Sequence, residues 1–192
     1  MSGNQETLAV LFADISDSSD LYERLGDGRA RQLITRCVGV MTGVLPDYQG
    51  TLIKIIGDEV MCTFPTAEQA FHAACAMQSA VEKAGYQNGN PMHIRIGFHY
   101  GEVIRDSGDV YGDTVNLAAR VSATTRTSQI MVTQAVVDIL PPDLRDKTSK
   151  LVRTESKGKP APFDIFLVTW SPDNKQSTRT GTPAQRKPKD GD

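Results

Sequence analysis

The stretch GTLIKIIGDEVMCTF, at positions 50–64, decides how the first half of this sequence folds. It contains two β-prone apolar runs, Thr51–Ile56 and Val60–Phe64, on either side of a Gly-Asp-Glu tripeptide. Two such runs joined by a short turn with Gly-Asp predict a β-hairpin. A hairpin that only completed a sheet would not need charge here, yet Lys54 lies between two isoleucines and Asp58 lies at the tip. We therefore expect this hairpin to carry functional side chains.

A second carboxylate follows a strand near the N-terminus. The run LAVLFADI at 8–15 is almost continuously apolar, which is typical of a central strand covered on both faces, and Asp14 lies near its end. Carboxylates at the ends of two strands can converge on one hard cation that also binds phosphate. Taken alone, Asp14 could equally be a helix N-cap and Asp58 a turn residue.

The composition is that of a globular protein with one domain. The chain has 192 residues, of which 39% are hydrophobic and 23% charged, and this length is sufficient for one domain with its own core. A net charge of −2 provides no general attraction for nucleic acid or membranes. The sequence has no apolar run near eighteen residues and no secretory signal pattern, so we expect a cytoplasmic protein without a membrane segment.

The three cysteines are predicted to be structural. They lie inside predicted helices or a strand, and their spacing in the sequence does not match that of metal ligands: Cys37, Cys62 and Cys75. An odd number of buried thiols is typical of a reducing compartment.

The periodicity of the remaining chain predicts an α+β fold. The predicted elements after the first strand are a helix over about 28–45, the hairpin, a helix from Thr66, a strand over 93–103, a helix over 112–121, a strand over 129–132, a small helix ending at Pro141, and a strand pair at 151–155 and 164–168. This order matches a ferredoxin-like βαββαβ core with additional C-terminal αβ elements, in which helices cover one sheet face and leave the other free. Glycines 97 and 101 inside a strand indicate a bulge or a close backbone approach. Residues 1–170 are predicted to form the domain, and residues 171–192 a polar, disordered tail or linker.

Five motifs occur in a characteristic order: FADIS at 12–16, KIIGDEVM at 54–61, RIGFHYGEV at 95–103, GDVYGDTVNLAAR at 108–120 and SKGK at 156–159. Together they resemble the catalytic domain of bacterial-type class III nucleotidyl cyclases, the adenylate and guanylate cyclases, over roughly residues 8–168. The resemblance implies attack of a ribose 3′-hydroxyl on the α-phosphorus of a nucleoside triphosphate, with pyrophosphate leaving. It also implies two divalent ions, Mg²⁺ or Mn²⁺, bound by Asp14, Asp58 and the backbone carbonyl of Ile15.

The resemblance also suggests which purine is bound. The family reads the base with residues three positions before the glycine of each of two turns, and these are Lys54 and Asp109 here. A lysine can donate to adenine N1 and a carboxylate can accept from the N6 amino group, whereas guanine offers the reverse pattern. Guanylate-type relatives carry Glu and Cys, or a similar small residue, at these places. We therefore expect ATP to be converted to cyclic AMP. The alternatives are a Lys54 that is merely solvated, and a guanylate cyclase.

The remaining site residues are also implied by the resemblance. Asn116 and Arg120 lie four residues apart on one helix face; the family uses them to orient the ribose and to stabilise charge on the α-phosphate. Lys157 matches a lysine that binds the β- and γ-phosphates, although a plain basic turn remains possible. His72, His93 and His99 have no ligand spacing and are predicted to be structural.

The family's architecture implies a head-to-tail homodimer with shared active sites. One subunit would supply Asp14 and Asp58, and the other would supply Asn116 and Arg120 together with Lys54, Asp109 and Lys157. A regulatory domain in a longer parent chain is common in the family. The competing hypotheses are a catalytically silent nucleotide-binding dimerisation module, and a nucleic-acid-binding or phosphotransfer domain, for which a basic stripe and an aromatic pair are lacking.

One departure from the family pattern concerns the residues that follow Ile15. Many relatives have a glycine there, whereas this chain has Ser16 and Asp17. Asp17 would place a negative charge near the triphosphate.

Overall fold

The computed structural model describes residues 3–87, 89, 91–153 and 163–171. In chain order its elements are β1 (Asn4–Ile15), α1 (Ser18–Leu25), α2 (Asp27–Gly43), a 3₁₀ turn (Leu45–Tyr48), β2 (Thr51–Ile56), β3 (Glu59–Phe64), α3 (Ala67–Gln87), β4 (Ile94–Asp106), β5 (Asp109–Tyr111), α4 (Asp113–Thr124), β6 (Ile130–Thr133), α5 (Gln134–Ile139), α6 (Pro142–Arg145), β7 (Thr148–Arg153) and β8 (Asp164–Val168).

The strands form one sheet with the order β2-β3-β1-β4-β6-β8-β7, and β5 pairs with the far end of β4. All pairs are antiparallel except β4–β6. The predicted α+β fold and the hairpin are confirmed. The predicted tail beyond residue 171 lies outside the described residues.

Two strands are longer than the sequence pattern predicts. β1 begins at Asn4 rather than Leu8 because it pairs with β4 along its whole length, from Asn4 opposite Arg105 to Ile15 opposite Ile94. The polar residues at its start are mostly exposed, so this part of the sequence has no apolar pattern that would predict a strand. The predicted turn near residue 108 joins β4 to β5 as a second hairpin.

The prediction that one sheet face is free is wrong. The odd positions of β1 pack under α2 and α3, in the same cluster as Met41 and Phe71. The even positions form a second cluster that includes Ala118 of α4. We call these two surfaces the α2–α3 face and the α4 face. Helix α4 covers part of the face expected to be open, because its own Ala118 and Val121 are apolar and fully buried.

The glycines of β4 allow α4 to lie directly on the strand. A β-carbon on Gly97 would come within 2.4 Å of the Ser122 backbone nitrogen, and one on Gly101 within 2.6 Å of Thr114 Oγ1. Thr114 Oγ1 in turn donates a 2.7 Å hydrogen bond to the Glu102 carbonyl. The predicted close backbone approach is therefore confirmed at Gly97, whereas at Gly101 the atoms that come close belong to side chains.

Two of the cysteines are buried, and two of the histidines contact neighbouring hydroxyl groups. Cys37 and Cys62 are buried free thiols, and burial raises the pKa of Cys37 to about 12. His99 Nδ1 lies 2.7 Å from Thr133 Oγ1 and His93 Nδ1 lies 3.1 Å from Ser128 Oγ. Within the described ranges, no helix is both long enough and apolar enough to cross a bilayer.

His99 leads to a prediction about pH and stability. Burial lowers its pKa below the ordinary value of 6.5. Below pH 6.5 the unfolded chain therefore binds a proton that the folded chain does not, and stability falls as the pH falls, by up to about 1.4 kcal/mol per pH unit until the folded pKa is reached. We expect urea unfolding at several pH values between 7.5 and 5 to show a steeper loss for the wild type than for His99→Gln. Parallel slopes in the two proteins would contradict this expectation.

Candidate active site

Asp14 lies on the α4 face near the end of β1, with a charged residue opposite it on each neighbouring strand. Its register partners are Glu59 on β3 and Arg95 on β4. Arg95 Nε donates a 2.7 Å hydrogen bond to Asp14 Oδ2, and Arg95 Nη2 lies 2.5 Å from the same oxygen. Asp14 is only 8% exposed, so Arg95 compensates a carboxylate that has lost most of its water.

Asp58 reaches the same place from the tip of the β2–β3 hairpin. Burial raises the pKa of Asp14, Arg95 opposes this increase, and the nearby Asp58 carboxylate raises the pKa further. The pKa of Glu59 is raised by burial and then by Asp14. The three carboxylates line one pocket, where like charges repel one another, and a cation bound by their oxygens would relieve that repulsion.

These residues line one open pocket. Its wall includes Asp14, Ile15 and Asp58, the three predicted metal ligands, together with Ser16, Asp17 and Arg95. Asp20 and Glu59 also line it, so the pocket wall contains five carboxylate side chains and one guanidinium. A triphosphate would be repelled from such a pocket unless cations accompanied it.

The oxygen-rich lining fits a divalent metal ion of the hard type. Within the ranges that the structure describes, no group of three or more His, Cys, Asp or Glu side chains is arranged as a metal site. Two aspartates with a backbone carbonyl, as the sequence suggests, would leave the remaining positions around an ion for water and substrate oxygens. The Ser16 Oγ is buried and has no hydrogen-bond partner among the residues that the structure describes, and Asp17 has a left-handed backbone with φ of 56°.

Arg95 and Glu59 were not among the predicted site residues. Arg95 is the first residue of the RIGFHYGEV motif, and Glu59 follows Asp58, but neither position shows by itself which residue it faces. The β1–β4 and β1–β3 registers place both beside Asp14.

Lys54 and Asp109 form a direct ion pair. Lys54 Nζ lies 2.6 Å from Asp109 Oδ2, and the side chains are 42% and 25% exposed. The Lys54 ammonium holds the pKa of Asp109 below its usual range. The two residues predicted to read the base are thus brought together within one chain, although 55 positions separate them.

A register shift in β2 puts Lys54 on this side of the sheet. Leu52 pairs with Cys62 and Lys54 with Met61, so Ile53 is an extra residue between them. With regular alternation Lys54 would face Val60, which belongs to the α2–α3 face. Instead its partner Met61 belongs to the α4 face, and directly paired residues project on the same side.

Asn116 and Arg120 lie on α4, one turn apart. Asn116 is exposed and Arg120 is half-buried. The Arg120 guanidinium carbon lies 4.6 Å from the centre of the Phe163 ring. The predicted phosphate ligand Lys157 lies outside the described residues.

The candidate residues fall into two groups within one chain. The pocket lined by Asp14 and Asp58 does not include Lys54, Asp109, Asn116 or Arg120 among its described lining residues. Both groups nevertheless lie on the α4 side, because Asp14 and Lys54 both point to that face and Asn116 and Arg120 belong to α4.

Comparison with known proteins identifies the family. The family model described as the adenylate and guanylate cyclase catalytic domain matches residues 1–168. An uncharacterized protein of Mycobacterium tuberculosis is 33% identical over 135 residues, which is 70% of this chain and 35% of that protein. An adenylate cyclase of Streptomyces coelicolor is 29% identical over 133 residues, 69% of this chain and 34% of its own length. The chain thus spans about a third of these relatives.

Solved structures show the same fold. The catalytic core of a rhodopsin-guanylyl cyclase with converted specificity, in complex with ATPαS, superposes with a TM-score of 0.78 at 21% identity, covering 87% of this chain and 98% of the other. The chain belongs to the adenylate and guanylate cyclase catalytic-domain family.

Proposed function

We propose that this domain is an adenylate cyclase, which converts ATP to 3′,5′-cyclic AMP and pyrophosphate at sites shared across a homodimer. The observation that carries the choice of nucleotide is the Lys54–Asp109 ion pair. The pair places a hydrogen-bond donor, the Lys54 ammonium, 2.6 Å from an acceptor, the Asp109 carboxylate. Adenine presents the complementary acceptor N1 beside the donor N6 amino group.

Guanine would meet the wrong polarity at both positions. Its N1 carries a proton that would face the lysine, and its O6 would face the Asp109 carboxylate. Leaving buried polar groups mismatched costs binding energy and can discriminate strongly between substrates. The carboxylate will also be an acceptor at neutral pH, because Lys54 lowers the pKa of Asp109.

Asp14, Asp58 and the Ile15 carbonyl would hold two divalent ions, either Mg²⁺ or Mn²⁺. When bound, such ions lower the pKa of an attacking hydroxyl and neutralise charge on the leaving pyrophosphate. The chain itself supplies a rigidly held ligand, because Asp14 lies in the centre of the sheet between β3 and β4.

The α4 residues would act on the reacting part of the nucleotide. Asn116 would orient the ribose so that its 3′-oxygen faces the α-phosphorus. Arg120 would donate to the α-phosphate oxygens, where negative charge increases in the transition state, and groups placed in this way often provide the largest catalytic effect. Lys157, with Lys159 beside it in sequence, would bind the β- and γ-phosphates.

A second copy of the chain would complete the site. The metal-binding group and the nucleoside-binding group line different parts of one chain, as expected if each group faces its counterpart on a partner. The exposed Ile56 pairs with Glu59 and therefore lies on the α4 side, where the partner would cover it. A symmetric pair would contain two complete sites.

The experiment that tests this function measures product formation from ATP and from GTP, each with Mn²⁺, over a series of protein concentrations. We expect cyclic AMP, at a rate that rises faster than linearly with protein because only dimers turn over. Cyclic GMP as the main product would favour the guanylate cyclase alternative. Bound nucleotide without either product would favour a silent regulatory module.

The ion pair gives a prediction about selectivity. We expect Lys54→Ala and Asp109→Ala each to lower kcat/KM for ATP by about 10- to 100-fold, since each leaves one adenine group unpaired. The measurement is the ratio of kcat/KM for ATP to that for GTP, which should fall toward unity in the double variant. A control is Lys150→Ala, which breaks another exposed ion pair, the 2.8 Å contact with Asp164, and should leave the ratio unchanged.

A further inference from the structure

We propose that Phe163 is a positioning residue for Arg120, and this inference rests on the proposed cyclase function. The Phe163 ring lies under the guanidinium of Arg120, with 4.6 Å between the guanidinium carbon and the ring centre. Phe163 immediately precedes β8, whereas Arg120 is on α4. The contact therefore joins helix α4 to the start of β8, which lies between β6 and β7 in the sheet.

Stacking suits an arginine that must also bind a phosphate. A guanidinium is planar, and its five N–H groups lie in its plane. The ring occupies only one flat side, so the in-plane donors stay available for phosphate oxygens. A hydrogen-bonded partner such as a carboxylate would instead have used those donors and neutralised the charge.

The ring also limits the freedom of a long side chain. An unsupported arginine samples many rotamers, and binding substrate would then require ordering it. A cation–π contact removes part of that cost before the substrate arrives. The phosphate-facing geometry would thus be set in the free enzyme.

Phe163 is itself held by packing. It is partly buried against a small cluster of Val121, Met131 and Ile165. Val121 is the neighbour of Arg120 on α4, so the same side chain that supports the guanidinium also fixes the helix beneath it. Leu151 packs against the same cluster but presents no aromatic face, which makes it a matched control.

The test uses the full chain with four substitutions: Phe163→Leu, Phe163→Met, Phe163→Tyr and Leu151→Ala. We expect the first two to lower kcat for ATP by about 3- to 10-fold with KM changed less than about twofold, because a cation–π contact at a partly exposed site has roughly this weight. Phe163→Tyr keeps the ring and should retain kcat. Leu151→Ala should lower the melting temperature by as much as Phe163→Leu but keep kcat.

A spectroscopic readout tests the contact independently of turnover. The Nε–H proton of Arg120, assigned by its loss in Arg120→Lys, should be shifted upfield by the ring current in ¹⁵N-arginine-labelled protein. The shift should persist in Phe163→Tyr and Leu151→Ala and disappear in Phe163→Leu and Phe163→Met. Two substitutions without a ring are used so that one poorly folded variant does not decide the result.

Failure of this proposal is distinguishable from failure of the proposed function. If the wild type forms cyclic AMP and kcat is unchanged in Phe163→Leu and Phe163→Met, only the positioning role of Phe163 is overturned. Absence of the upfield shift in the wild type would do the same. A wild type that forms no cyclic nucleotide, yet shows the shift, would overturn the proposed function and with it the catalytic purpose of the contact.

Discussion

Asp58→Asn is expected to reduce cyclic AMP formation by about a thousandfold or more, because losing one of the carboxylates proposed to bind metal would remove several kcal/mol of transition-state stabilisation. The amide has the same shape as the carboxylate, so the β2–β3 turn should persist. Folding should be retained or slightly strengthened, since the Asp58 charge raises the pKa of the buried Asp14 and therefore opposes its ionisation. The measurements are turnover, melting temperature and Mn²⁺ binding by calorimetry. Normal turnover in this variant would contradict the assigned role.

Mixing variants tests the shared site more sharply. Asp58→Asn and Arg120→Ala would each be inactive alone, but a heterodimer of the two has one intact site. Random assortment of an equal mixture gives half heterodimers, each with one of two sites intact, so about a quarter of wild-type activity should return. The matched control is Asp58→Asn mixed with Asp14→Asn. Both substitutions lie in the group formed by Asp14 and Asp58, so no heterodimer has an intact site and activity should not return. Recovery in the control, or none in the test mixture, would contradict the shared site.

Gly97→Ala is expected to destabilise the fold by about 3 kcal/mol, a large effect for one added methyl group. The new β-carbon would lie 2.4 Å from the Ser122 nitrogen, 2.5 Å from the Ser122 α-carbon and 2.8 Å from the Val121 carbonyl carbon. These are backbone atoms of α4, so no side-chain rotation can relieve the contact and the helix must move away from β4. Activity should fall as well, because α4 carries Asn116 and Arg120. Chemical unfolding and cyclic AMP formation measure the two effects.

Gly39 provides the control for this substitution. It lies inside α2, and beyond the helix's own backbone a β-carbon there would meet no atom of the described residues within 4 Å. Gly39→Ala should therefore stabilise the protein by about 0.5–1 kcal/mol, since alanine favours a helix interior over glycine. Equal unfolding midpoints for Gly97→Ala and the wild type would show that α4 does not press on β4 as described.

Local sequence determined most of the framework. Alternating and continuous apolar runs predicted the hairpin at 51–64 and the central strand that ends near Asp14, because these patterns reflect which faces each strand buries. The motif order predicted the family, and the residue types at Asp14, Asp58, Asn116 and Arg120 predicted the chemistry now proposed. Glycines 97 and 101 indicated an unusual strand without showing what approaches it.

Tertiary structure decided which residues meet. The bulge at Ile53 turns Lys54 toward Asp109, and alternation alone would have sent it to the opposite face. Arg95 is paired with Asp14 through a register between strands 81 positions apart, and Phe163 reaches Arg120 from 43 positions further along the chain. Local patterns record how one segment alternates between core and solvent. They do not record how two distant strands align or which helix covers a face, because those depend on packing among segments that are remote in the sequence.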